Sequence, residues 1–412
     1  MAKHAHVQRT GAHEPEQLEV KRVPRALLLG ALALAALATV LGTLLLWPDG
    51  EAANEVRGSL SFAAPGVTFP EAVVDRVEAR CPPMSDGVPD DVDREGCGKL
   101  HVTVDEGAEE GSQVAVQVPP EVSDAGLAPG DRIELIRTPG AEGEPAQLNY
   151  FDIVRELPLR TLAIIFAVVV IAVAWWRGVM ALVGLAFAAV VLWQFMIPAL
   201  LTGEGAIAVA LTAASAILFV VLYTTHGFSL RTSVALAGTL AGVGITALLG
   251  WWSVDSSRLT GVSGEEGGIM STFVSGVDLQ GLFTAAVIIA GLGVLNDVTI
   301  TQSSAVWELR AASRDMTRTR LFTSAMRIGR DHIASSIYTI VFAYAGTALI
   351  VLLVVSLYDR PWLDLVGTEE IAEEVVRSLV SSIGLVLAVP ITTVLAALIV
   401  PGPLRSEKWT GG

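Results

Sequence analysis

Long apolar runs alternate along this chain with polar stretches punctuated by Gly and Pro. Ala26 to Leu46 is unbroken Leu, Ala and Gly with Val and Thr, and it ends in Trp47-Pro48. From Leu159 onward apolar runs recur at approximately 159–175, 179–201, 206–223, 232–252, 281–298, 333–357 and 379–399. A helix that crosses a bilayer needs ~20 apolar residues. The pattern therefore predicts eight spans. The span around 179–201 is long and carries Gln194 and Pro198, so a tilt or kink is expected there. Residues 49–158 read differently. Leu100 to Val104, Val114 to Val118 and Arg132 to Ile136 alternate with period two, as half-buried strands do. Val73 to Val77 and Leu148 to Val154 are weaker strand candidates, and Pro65-Gly66, Asp86-Gly87 and Pro129-Gly130 mark turns. Five or six short strands over this length suggest a small barrel or sandwich. Gly126 to Asp131 feeding a strand is the feature an OB-like barrel would share.

Charge fixes an expected orientation. Lys3, Arg9, Lys21, Arg22 and Arg25 precede the first run and place the N-terminus inside. A secretory signal would have a shorter apolar region and a small-residue cleavage site close behind it, so a retained anchor is expected over a cleaved signal. Eight spans then return the C-terminus inside. The connections expected on the cytoplasmic side hold Arg177, then Arg231, then Arg310, Arg314, Arg318, Arg320, Arg327 and Arg330, then Arg405 and Lys408. The opposite connections hold Glu204, then Asp255, Glu265, Glu266 and Asp278, then Asp359, Asp364, Glu369, Glu370, Glu373 and Glu374, against Arg258, Arg360 and Arg377. The sorting agrees with the positive-inside rule at every loop.

Composition adds three points. The hydrophobic share is 52% and the net charge is −15. Residues 48–158 hold 23 Asp and Glu against 8 Lys and Arg, so the whole acidic excess sits in the soluble segment and excludes nucleic-acid binding there. The two cysteines, Cys81 and Cys97, lie in that segment, where an oxidising compartment permits a disulfide; free thiols are the alternative. Two Cys with no clustered His pair make a structural metal site unexpected. Asp90, Asp91, Asp93 and Glu95 lack the full calcium-loop spacing and read as a solvated acidic loop.

The candidate chemistry gathers in Gly281 to Gly346. Only Asn296 and Asp297 interrupt the apolar run 281–298, and intramembrane ionisable groups usually mark ion or substrate pathways. The competing reading puts Asp297 at the cytoplasmic boundary, with Thr299 and Gln302 as a capping-box-like start of the next helix. Arg330-Asp331-His332 opens the following span on the same expected face, and His332 is suited to a proton relay. His226 ends an earlier span at that face. Val306 to Arg327 is too polar to span and reads as one or two amphipathic helices. The expected place is the anionic inner leaflet, with docking of a cytoplasmic partner at 305–327 as the sharper alternative. Gly238, Gly242, Gly291 and Gly293 read as helix-packing surfaces. No GxxxxGK[ST], GxSxG, HExxH or CxxC is present, so no enzyme activity and no cofactor is expected.

Leu295 to Arg310 (LNDVTITQSSAVWELR) and Gly329 to Gly346 (GRDHIASSIYTIVFAYAG) resemble the YibE/F-like family of bacterial multi-pass membrane proteins. The resemblance spans about Leu159 to Val400. Larger members of that family also have an N-terminal anchor and an outer domain. The resemblance implies no activity and assigns no residue roles; it marks the Asn-Asp and Arg-Asp-His stretches as family-defining.

The expected architecture is thus an α-helical polytopic membrane protein of about eight transmembrane helices, N-in and C-in, with a small extracytoplasmic all-β domain. Its divisions are a cytoplasmic tail over 1–25, an anchor over 26–47, an outer β domain over 48–158, a seven-helix membrane domain over 159–400 and a cytoplasmic tail over 401–412. The expected location is the bacterial cytoplasmic membrane. The expected function is a transporter or permease for a small solute or ion, with Asn296, Asp297, Thr299, Gln302, Arg330, Asp331, His332 and His226 as gate or coupling residues. The alternative is a non-transporting envelope scaffold or sensor whose outer domain binds a partner.

Overall fold

The computed structural model describes residues 22–59, 66–78, 98–140, 145–263, 267–268, 271, 277–357 and 361–402. Cys81, Cys97 and the acidic loop around Asp90 lie outside the described residues. The chain divides into two compact units, residues 57–173 and residues 1–56 with 174–412.

The smaller unit holds five antiparallel strands: β1 Glu71–Val77, β2 Lys99–Val104, β3 Gln113–Gln117, β4 Arg132–Thr138 and β5 Gln147–Ile153. They form one sheet in the order β3-β2-β1-β4-β5, curled into a half-barrel. All five strand candidates, the two weaker ones included, are strands. The period-two pattern works because one face is shut from water: Ala72, Val74, Leu100, Val102, Val104, Val116, Ile133 and Leu135 are buried together. The register sets Val74 opposite Val102 and Leu100 opposite Val116. The expected turn before β4 is present. Gly130 adopts φ +99, its N–H donates to the Val74 carbonyl at 2.8 Å, and the Asp131 carboxylate accepts from Ala128 N–H at 2.8 Å. Part of the acidic excess is neutralised locally. Arg132 pairs with Glu71 at 2.8 Å and with Asp105, and Arg137 pairs with Glu109 at 2.7 Å.

The helices, in chain order, are α1 Arg22–Leu45, α2 Gly50–Ser59, α3 Pro120–Ser123, α4 Glu156–Val191, α5 Ile197–Leu201, α6 Ala206–His226, α7 Leu230–Ser257, α8 Leu279–Ala312, α9 Arg318–Thr347, α10 Leu349–Ser356, α11 Trp362–Val366 and α12 Glu369–Ile399. Among the described residues, six helical elements are long and apolar enough to cross a membrane, and α9 with α10 makes a seventh if that pair, bent by 63°, counts as one span. The expected eight counts as two spans what is here a single kinked element. The runs at 159–175 and 179–201 belong to one 46-residue element, Glu156–Leu201. Its break is at Trp175, which leaves helical geometry at φ 52, ψ −134. Near Gln194 and Pro198 the helix also changes character. Leu192–Met196 is a π-helical turn, and Pro198 sits in the first turn of α5, where its missing N–H leaves no helical bond unmade.

Side-chain oxygens cap three of the long helices. Ser229 accepts from Thr232 N–H, Asp278 from Gly281 N–H and Thr317 from Arg320 N–H. Helices α7, α8 and α12 pack on one another to form the core of the larger unit, with α1, α6 and α9 around them. Close approach is possible because glycines face hydroxyl residues. A Cβ at Gly238 would lie 2.0 Å from Thr392 Oγ1, and one at Gly384 would lie 2.1 Å from Thr246 Oγ1. Gly242 meets Ala388 and Leu295 in the same way, whereas Gly293 has open space beside it. The packing role expected of Gly238 and Gly242 is observed; Gly293 has none.

Candidate functional site

The expected site residues part into two groups. Asn296, Asp297, Thr299 and Gln302 all lie on α8, which continues without interruption to Ala312. Thr299 therefore does not start a helix, and its capping-box role with Gln302 is corrected. Hydropathy had marked the end of the apolar run, but the backbone ladder runs on for more than three further turns. Thr299 and Gln302 are buried instead. The Thr299 hydroxyl lies 2.5 Å from the Thr239 hydroxyl of α7. Gln302 Nε2 donates to Thr393 Oγ1 of α12 at 2.7 Å and to the Ala325 carbonyl of α9 at 3.1 Å. Gly329 of α9 completes that contact; a Cβ there would be 2.8 Å from Val389 and 3.0 Å from Gln302 Oε1.

Asp297 is exposed, and its carboxylate makes no hydrogen bond or ion pair among the described residues. Asn296 is half-buried, with its Oδ1 sheltered and unpartnered. Arg330, Asp331 and His332 are exposed in the middle of α9. His226 is the exposed last residue of α6, and its carbonyl accepts the Thr232 hydroxyl at 3.4 Å. Among the described residues no hydrogen bond or ion pair joins Asp297, the Arg330–His332 group and His226.

The segment 305–327 is also built differently from expectation. It is not a pair of free surface helices. Val306 to Ala312 ends α8 and Arg318 to Arg327 begins α9. Their apolar side, with Val306, Leu321 and Ala325 fully buried, packs into the bundle core. Arg310, 2% exposed, staples the turn between them. Its Nη1 donates to the carbonyls of Met316 at 2.7 Å, Arg314 at 3.2 Å and Ser313 at 3.4 Å. Arg314, Arg320 and Arg327 remain exposed.

What the fold does assemble is a polar seam between α7, α8 and α12. Thr232, Ser233, Thr239 and Thr246 come from α7. Thr284, Thr299, Gln302 and Ser303 come from α8, and Ser381, Thr392 and Thr393 from α12; all are buried. Some partners lie across helices, as with Ser303 Oγ on the Arg231 carbonyl at 2.8 Å. Others are intrahelical, as with Thr392 on Ala388 and Thr393 on Val389, both at 2.7 Å. Thr246 Oγ1 and Gln302 Oε1 are buried without a hydrogen-bond partner. Sequence reading passed over most of these residues because a hydroxyl in a span looks unremarkable. The available signal was spacing: Gly238, Gly242, Thr246 and Gly250 recur every fourth residue on α7 and so share one face.

A family model described as YibE/F-like protein matches residues 162–402. The chain belongs to the YibE/F-like family. No curated protein matches it, and no solved structure matches it. The YibE/F-like match begins inside α4 and ends just past α12, so it takes in the whole polar seam and leaves out α1 and the five strands. The same YibE/F-like region holds an apolar groove of about 320 Å³ between α9, α10 and α12, lined by residues that include Val341, Tyr344, Leu352, Ile371, Val375 and Leu379. None of the expected site residues lines it.

Proposed function

We propose that this YibE/F-like chain is an integral cytoplasmic-membrane protein that passes a small solute or ion through its helix bundle, without catalysis. In this reading the N-terminus and C-terminus face the cytoplasm, where the loop arginines collect, and the OB-like strand order belongs to an extracytoplasmic domain closed by a Cys81–Cys97 disulfide. The observation that carries the proposal is the polar seam. Hydroxyl and amide groups in an apolar bundle usually mark a path or a packing contact. Seam groups with unsatisfied atoms, Thr246 Oγ1, Gln302 Oε1 and Ser381 Oγ, are the ones a passing ion or water would engage.

The test is transient-current measurement on vesicles carrying the full chain, challenged with concentration jumps of protons, sodium, chloride, phosphate and small organic ions. One of these is expected to give a current that Thr246→Val and Gln302→Leu abolish and Asp297→Asn leaves intact. Absence of current for every solute, or currents unchanged in both seam variants, overturns the proposal. A second reading, a scaffold or sensor, is favoured by one observation. Asp297, Arg330, Asp331 and His332 are exposed on two helices, open to a cytoplasmic partner together with Arg314, Arg320 and Arg327. In that case Asp297→Asn and Arg330→Ala change partner binding and no solute moves.

A further inference from the structure

Three of the four glutamates in the first two turns of α12 meet different environments. Glu369 is saturated with donors: its Oε1 accepts from Thr260 N–H at 2.6 Å, from Gly261 N–H at 3.2 Å and from the Thr260 hydroxyl. Glu374 lies 3.4 Å from Arg377, whose guanidinium also sits 5.3 Å over the Phe283 ring. Glu373 has neither kind of partner. It is 6% exposed, and one oxygen accepts from Ser263 Oγ at 2.5 Å. Its other oxygen, Oε1, is buried with no hydrogen-bond partner.

Among the described residues no cation forms an ion pair with it. The charges acting on Glu373 are Glu369, Arg377 and Glu374, all on its own helix. The two carboxylates favour proton uptake and the single cation, already shared between Glu374 and a ring face, opposes it. The adjoining ends of α7 and α8 carry Asp255, Arg258 and Asp278, which are not in that set, and Asp278 is engaged as a helix cap. Tyr344 of α9 faces Glu374 and Arg377. Beside these groups the packing is apolar, with Val254, Leu259, Phe283, Val287 and Val380. The segment beside Glu373 is closely packed. Gly261, at φ +72, lies so near the Leu279 carbonyl that a Cβ would be 2.4 Å from it, and Gln280 Nε2 donates to the Leu259 carbonyl at 2.7 Å. A carboxylate charge sealed there with an empty oxygen is costly, and a neutral acid is not.

We propose that Glu373 is a proton-binding site covered by Thr260–Ser263, and that the proton is the coupling ion of the transport proposed above, on which this inference rests. The proton adds to Oε1 and neutralises the carboxylate, while Oε2 keeps the Ser263 hydrogen bond. Lifting of the covering segment admits water and releases the proton.

Two measurements on the full-length chain in detergent test this. In infrared spectra recorded across pH, a protonated-carboxyl band that titrates is expected in the native chain and in Glu369→Gln, and is expected to be missing in Glu373→Gln. In a Val262→Cys chain, maleimide labelling, corrected for the chain without that cysteine and divided by the rate for a free thiol at the same pH, is expected to rise with pH, and that residual rise is expected to vanish when Glu373→Gln is added. Ser263→Ala, which leaves the carboxyl in place, is expected to shift the band, and it decides the matter should Glu373→Gln fail to fold. The same band in Glu373→Gln, or a band that Ser263→Ala does not move, overturns the proposal. Neither readout needs a transported solute. Loss of all solute currents with the band intact removes transport alone, and currents with no Glu373 band remove the proton site alone.

Discussion

Replacing Gly238 with Ala tests the packing on which the bundle rests. The new Cβ would lie 2.0 Å from Thr392 Oγ1, 3.0 Å from its Cβ and 3.3 Å from its Cγ2. Turning Thr392 about χ1 relieves only the first contact and breaks the 2.7 Å bond to the Ala388 carbonyl. The 3.0 Å contact to Cβ remains, so α7 and α12 must part by a few tenths of an ångström. One turn away, Gly242 faces Ala388 at 3.0 Å across the same interface, and that contact loosens as well. Overpacking of this kind costs about 1–3 kcal/mol. The Gly-to-Ala gain in helix propensity returns up to about 1 kcal/mol. With the full propensity gain the net expectation is a loss of up to about 2 kcal/mol. Gly293→Ala is the control: nothing lies within 4 Å, so only the propensity gain applies. Thr392→Ala vacates the space, and the pair Gly238→Ala with Thr392→Ala is expected to show a coupling of about 1–2 kcal/mol, as residues in contact do. Thermal unfolding of the full chain in detergent reads this out. The expected order of stability places Gly293→Ala at or above the native chain and Gly238→Ala lowest, with the double variant recovering. Strict additivity, or a Gly238→Ala chain as stable as Gly293→Ala, would refute the close approach.

Two further outcomes are expected. Arg310→Ala removes a charged donor from three turn carbonyls and should cost about 2–3 kcal/mol, with faster proteolysis near 313–317 as the direct check; Arg310→Lys should recover part of the loss. In the β unit, the hydrogen bond from His101, at 2.6 Å, holds Glu78 below its ordinary 4.5. A depressed carboxylate stabilises the fold above its unfolded value, and that contribution is lost as pH falls through the lower folded value. Protection of β1 and β2 amides from hydrogen exchange, taken relative to the intrinsic rate at each pH, should therefore fall below about pH 4.5 in the native chain and less so in Glu78→Gln, and equal acid sensitivity in the two would remove Glu78 as the cause.

Much of the architecture was legible because its signals are local. Runs such as 206–223 and 232–252 are apolar over a bilayer's thickness, and the structure makes α6 and α7 of them. Leu100 to Val104 alternates, and its apolar half is buried. The helix ends were read less well. Asn296-Asp297 and Arg330-Asp331-His332 look like borders because hydropathy falls there. Hydropathy records where an apolar surface stops, whereas a helix stops where its backbone bonds lose partners, at Ser313 and before Arg318. The same confusion hid the continuity of α12 with its acidic first turns, whereas the boundary expected between 159–175 and 179–201 is present as the break at Trp175.

The sequence by itself determined the five strands and the long apolar helices, though not the short helices α2 and α3, and it determined which family the chain belongs to, since each depends on residues near one another along the chain. Only the tertiary structure decided which polar groups are buried and with whom. Thr299 meets Thr239, Gln302 meets Thr393 and Glu373 meets Ser263 across gaps of 60, 91 and 110 residues. A hydroxyl or a carboxylate carries the same local signature whether it faces lipid, water or a neighbouring helix. Its partner, and hence its chemistry, is set by the packing angle and spacing of elements distant in sequence.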